Sequence, residues 1–86
     1  MMTLRHIPQI YFTIHTKDLQ QGYAVCDNEG EWVVEADSKC NLPDAEFTSL
    51  AEAEAVLKEV LEQMEAEGNV LLADRSAWAI IAYTKE

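Results

Sequence analysis

The sequence predicts an α+β fold: an antiparallel sheet of three to five strands with one amphipathic helix packed on one face, in the order β-β-β-α-β. Three observations carry this. Phe47–Gly68 spaces its apolar residues at helical intervals, and Gln9–Thr16 alternates apolar and polar residues with period two. Between them, Asp27-Asn28-Glu29-Gly30 reads as a turn separating two extended runs. A sheet with one apolar face and a helix with one apolar stripe bury each other. The 86 residues suffice for a single domain, 1–86, with one core. An apolar fraction of 49% is too high for a disordered chain.

Residues 1–8 form a lead-in that ends at Pro8, which cannot donate to a sheet ladder. In the first strand, Gln9–Thr16, Ile10, Phe12 and Ile14 face the core, and Tyr11, Thr13 and His15 form a half-polar face. Lys17–Gly22 is a polar connection. Tyr23–Cys26 and Glu31–Ala36 make a hairpin, with Trp32 and Val34 on one face and Glu31, Val33 and Glu35 on the other. The loop Asp37–Glu46 (DSKCNLPDAE) leads to the helix.

Leu50, Ala53, Val56, Leu57, Val60, Leu61 and Met64 make the helix stripe, an arc of roughly 140°. Ser49-Leu50-Ala51-Glu52 has the form of a capping box, and Gly68 stands where a helix end favours positive φ. Val70–Ala73 reads as a short strand, Asp74-Arg75-Ser76 as a turn and Trp78–Thr84 as a buried strand. The expected core is Ile10, Phe12, Ile14, Trp32, Val34, Leu57, Leu61 and Ile80, with Trp32, Trp78 and Tyr83 as aromatic anchors.

The net charge is −10, and it is unevenly placed. Residues 1–26 carry Arg5, Lys17 and Asp18, and residues 68–86 balance to zero. Residues 27–67 hold 13 acids against Lys39 and Lys58, a net of −11. On the helix, Glu52, Glu54, Glu59, Glu62 and Glu65 face away from the apolar stripe. Glu54–Lys58 is the one favourably oriented pair, whereas Glu59–Glu62 and Glu62–Glu65 are like-charged neighbours. Glu65 and Glu67 also oppose the helix dipole. A surface tuned only for solubility would intersperse lysines. These uncompensated carboxylates point to a partner that brings the cations.

Such a surface repels nucleic acid and anionic membranes, so neither is an expected partner. The helix acids, about one per ~4.5 Å of axis, are sparser than the ~3.4 Å phosphate spacing of a DNA strand. Asp27, Glu29, Glu31, Glu35, Asp37, Asp44 and Glu46 would raise the density to a strand-like value if they share a face. Metal sites are not expected, because His6, His15, Cys26 and Cys40 lack paired ligand spacing. Gly22, Gly30 and Gly68 serve turns and caps, leaving no phosphate loop, and no nucleophile has an orienting base. The expectation is a non-enzyme without cofactor. With no signal-peptide core and no multi-cysteine framework, the reading is cytoplasmic, with Cys26 and Cys40 as free thiols.

The hairpin GYAVCDNEGEWVVEAD and the helix SLAEAEAVLKEVLEQMEAE, with the size, charge and element order of the whole chain, resemble the small acidic anti-CRISPR and antirestriction proteins of phages. That resemblance implies a stoichiometric inhibitor in a host bacterial cell, blocking a basic, nucleic-acid-handling complex by occlusion or nucleic-acid mimicry. Gly22–Gln63 also resembles the HicB-type antitoxin core, where a strand pair precedes a helix start like Ser49-Leu50-Ala51-Glu52-Ala53. That would imply neutralisation of a toxin RNase. A structural or assembly protein of a phage or mobile element is the alternative from another class, marked by an exposed apolar patch around Tyr11, Val33 or Tyr83. The expected partner-binding residues are Glu52, Glu54, Glu59, Glu62 and Glu65 on the helix and Asp27, Glu29 and Glu31 on the hairpin.

Overall fold

In a computed structural model describing residues 9–85, β1 (Gln9–Thr16), β2 (Tyr23–Asn28), β3 (Glu31–Ala36) and β4 (Trp78–Lys85) form one antiparallel sheet in the order β3-β2-β1-β4. The helix α1 (Leu50–Ala66) lies between β3 and β4 in the chain. The α+β class and the order β-β-β-α-β are therefore as the sequence predicts. The lead-in over residues 1–8, with Arg5 and His6, lies outside the described residues.

Each element forms for local reasons. Ser49 has extended backbone, and its hydroxyl accepts from the Glu52 amide at 3.1 Å, which starts α1. At the other end Gly68 takes φ +77°, while Asn69 N–H bonds Met64 C=O at 2.9 Å and Gly68 N–H bonds Glu65 C=O at 3.0 Å. This is the Schellman arrangement, and it stops the helix. In the hairpin the ladder runs to Asn28↔Glu31, two residues further along β2 than the sequence suggests. Glu29 and Gly30 both have positive φ, the requirement of the type I′ turn that matches strand twist.

Period-two alternation sorts the sheet into two faces. Toward α1 point Ile14, Val25, Trp78 and, less completely, Phe12, Trp32, Val34 and Ile80. These pack with Ala53, Leu57, Val60 and Met64 of the helix. Trp78 is fully buried, and its indole N–H donates to Leu72 C=O at 2.9 Å. That bond holds the 70–73 stretch as a turn rather than the expected strand. Asn69 Oδ1 accepts from the Leu72 amide, Leu72 goes inward, and Val70 stays 83% exposed.

Four expectations of burial need correction. Ile10 is 49% exposed because it lies at the outer end of β1, beyond the reach of the helix, where it pairs with Thr84. Leu50 is exposed at the first turn of α1. The outer half of β4 is not buried: Ile81 and Ala82 are exposed. Tyr83 is no core anchor, since it faces away from α1 and donates a hydrogen bond to Glu46.

The sheet has one departure from regularity that shapes everything on its surface. β1 pairs along its whole length with β4, but meets β2 directly only at His15↔Ala24. Beyond that point β1 and β2 splay apart, and residues 43–47 fill the gap. Asp27 N–H bonds Pro43 C=O at 2.8 Å and Ala45 N–H bonds Val25 C=O at 3.0 Å. Phe12 and Phe47 exchange two bonds of 2.8 and 2.9 Å. The stretch is antiparallel to β2 at Cys26↔Asp44 and to β1 at Phe12↔Phe47. Ala45 and Phe47 enter the core, and Asp44 and Glu46 stay at the surface.

Candidate protein-docking groove

Where the wedge 43–47 meets the hairpin end and the first turns of α1, a groove of ≈ 600 Å³ opens. Its apolar walls come from Trp32, Phe47 and Val56. Asp27, Asp44, Glu46 and Glu52 line it as well, and among the described residues no lysine or arginine does. Each acid arrives by a different route. Asp27 stands opposite Trp32 in the β2–β3 ladder, and its Oδ1 also accepts from the Gly30 amide at 2.9 Å, which fixes the turn beside the groove. Asp44 and Glu46 alternate with the inward Ala45 and Phe47. Glu52 is placed by the Ser49 cap.

The eight residues expected to bind a partner are thus divided. Asp27 and Glu52 come together in the groove. Glu29 and Glu31 are exposed at the hairpin tip, with Gly30 on the groove lining. Glu54, Glu59 and Glu62 are exposed on the helix. Glu65 lies thirteen residues beyond Glu52, about 20 Å along the axis, beside a separate hollow with Val70 and Asp74. The acids therefore do not form one strand-like row. Among the described residues no lysine or arginine lies within 4.0 Å of these helix carboxylates, and the expected Glu54–Lys58 pair does not close to that distance.

Asp44 and Glu46 were visible in the sequence only as loop acids. The signal that could have placed them is the alternation Asp44-Ala45-Glu46-Phe47 directly after Pro43, a short strand-like pattern hidden in a stretch read as irregular.

The same two acids reach a second hollow, ≈ 410 Å³, on the sheet face away from α1. There His15 Nε2 lies 3.0 Å from Thr13 Oγ1 and 3.6 Å from Asp44 Oδ2. Tyr83 donates to Glu46, and its ring lies 5.8 Å from that of Tyr11. Burial first, then the hydrogen bond and charge of Glu46, push the Tyr83 hydroxyl up to about 12. Tyr83 is therefore a proton holder at neutral pH, not a base. Thr13 is buried and engaged with His15, so it is no exposed nucleophile. Among the described residues no cluster of His, Cys, Asp and Glu is set to hold a metal ion, and no helix is long and apolar enough to cross a membrane.

No family model, curated protein or solved structure matches the chain. The functional reading therefore rests on the groove and its charges.

Proposed function

We propose that this protein is a binding module that docks its acidic surface on a basic, nucleic-acid-handling protein and blocks it, with the groove as the contact that gives specificity. The observation that carries the reading is the convergence of Asp27, Asp44, Glu46 and Glu52 around Trp32 and Phe47, with no cation among the described lining residues. A guanidinium or ammonium group satisfies such a site. It is attracted by the carboxylates, and its aliphatic stem packs on apolar wall. An indole face adds cation–π attraction of about 0.5–2 kcal/mol.

The exposed helix acids have a different task in this reading. Single exposed ion pairs contribute about 0–1 kcal/mol, so they steer encounter and accelerate association more than they hold the complex. Occlusion of a nucleic-acid groove, as in the anti-CRISPR-like reading, needs both parts: a polyanionic face that the basic surface attracts, and an anchored contact that slows release. The assembly-protein reading receives less support. Tyr11, Val33 and Tyr83 do not form an exposed apolar patch, being half-buried, with Tyr83 bonded to Glu46.

The test uses a defined arginine-rich peptide, titrated at low and physiological salt against two variants. One neutralises the groove (Asp27→Asn with Glu52→Gln), and the other neutralises the helix face (Glu59→Gln, Glu62→Gln and Glu65→Gln). The groove variant is expected to weaken binding about tenfold or more at physiological salt, the helix variant only about two- to threefold. Equal losses, or a greater loss in the helix variant, would refute the groove as anchor.

A further inference from the structure

Cys26 and Cys40 are 14 positions apart in the chain, yet their Sγ atoms lie 3.1 Å from each other. Neither is in a disulfide. Cys26 is fully buried in β2, its thiol directed to Ala24 C=O at 3.7 Å. Cys40 is half-buried in the irregular stretch after a 3-10 turn (Asp37–Lys39), and its thiol donates to Leu42 C=O at 3.3 Å. A disulfide needs the sulfurs at ~2.05 Å, an approach of about 1 Å, and Cys40 lies outside any helix or strand that would resist it.

We propose that Cys26 and Cys40 are a reversible dithiol–disulfide pair, oxidised by thiol–disulfide exchange with a low-molecular-weight disulfide. The two sulfurs have unequal roles. Burial first, and then the adjacent Cys40, push the Cys26 thiol up to about 12, and no solvent reaches it. Cys40 is therefore the attacking group. Its thiolate sulfur bonds to one sulfur of the reagent RS–SR, the reagent's S–S bond breaks, and RS⁻ departs and takes a proton. Cys26 Sγ then attacks Cys40 Sγ as its proton passes to the departing sulfur, forming the internal disulfide and releasing the second RSH. The two protein thiols lose two electrons and two protons, and the reagent is reduced to two thiols.

The consequence falls on the wedge. Cys26 is the bridge partner of Asp44, and Cys40 enters the wedge three residues before Pro43. A bond between them ties the start of residues 43–47 to β2, stiffening the stretch that carries Asp44 and Glu46. Closing a short loop also restricts the unfolded chain, so the oxidised form should melt several degrees higher.

The test is incubation of the full chain with oxidised glutathione, an acid quench and intact-mass measurement. Wild type should end as a monomer lighter by two hydrogens, with no glutathione retained and no thiol left to alkylate after unfolding. Cys26→Ala should stop with one glutathione on Cys40, and Cys40→Ala should keep Cys26 reduced while folded. Wild type that keeps both thiols, holds glutathione, or links two chains under the conditions that oxidise a control dithiol would overturn the proposal. The wild-type mass decides even if a variant fails to fold. No partner is involved, so the outcome is independent of the docking reading.

Discussion

At the scale of single residues, the core is concentrated in few side chains. Leu57 is 1% exposed and sits between the helix and the central strands. Leu57→Ala should cost roughly 2–5 kcal/mol in denaturant unfolding, a large share of the stability of so small a domain. Two other residues give a pH signature. Tyr83 and Cys26 both have raised folded-state pKa values, each about 12, against ordinary values of 10.0 and 9.0. Folding therefore keeps these protons when the unfolded chain has begun to release them. Their stabilisation is complete below pH 9 and is lost as pH rises from about 9 to 12. Stability should fall over that window, and Tyr83→Phe and Cys26→Ala should each flatten the fall. A curve with the same slope in both variants would show that other groups cause it.

At the scale of elements, α1 was the most legible part of the chain. A capping serine, a stripe at helical spacing and a glycine after the last turn all act locally, and local signals survive without knowledge of the fold. Gly68→Ala should cost about 1 kcal/mol, because φ +77° is left-handed backbone that a Cβ disfavours. Reversing Glu59, Glu62 and Glu65 to lysine should leave the fold intact and raise Tm slightly. It exchanges one set of like-charge neighbours for another, so the gain comes from lowering the net negative charge and setting a cation near the helix C-terminus, about 0.3–1 kcal/mol. A fall in Tm would mean that these carboxylates have structural partners. The wedge 43–47 was missed because its pairing depends on β1 and β2 splaying, a tertiary event that the four-residue alternation Asp44–Phe47 marks only weakly. Val70–Ala73 misled for a similar reason. Its apolar run looks like a strand, but the Asn69 turn and the Trp78–Leu72 hydrogen bond decide otherwise.

At the scale of the whole molecule, the charge excess between Asp27 and Glu67 was plain in the sequence, and its three-dimensional division was not. Distance along the chain says nothing about which acids meet. Asp27, Asp44, Glu46 and Glu52 converge from three elements, whereas Glu52 and Glu65, on one helix, end far apart. In the proposed docking, one polyanionic surface has two tasks: long-range attraction by the helix acids, and recognition by the groove. The most direct measurement is an amide and indole NMR titration of the wild-type protein with the arginine-rich peptide at physiological salt. Docking in the groove should give saturable shifts centred on Asp27, Gly30, the Trp32 indole, Glu46 and Glu52, with the buried Trp78 indole unmoved. Shifts spread along Glu54–Glu65, or confined to the sheet face around His15 and Tyr83, would contradict it.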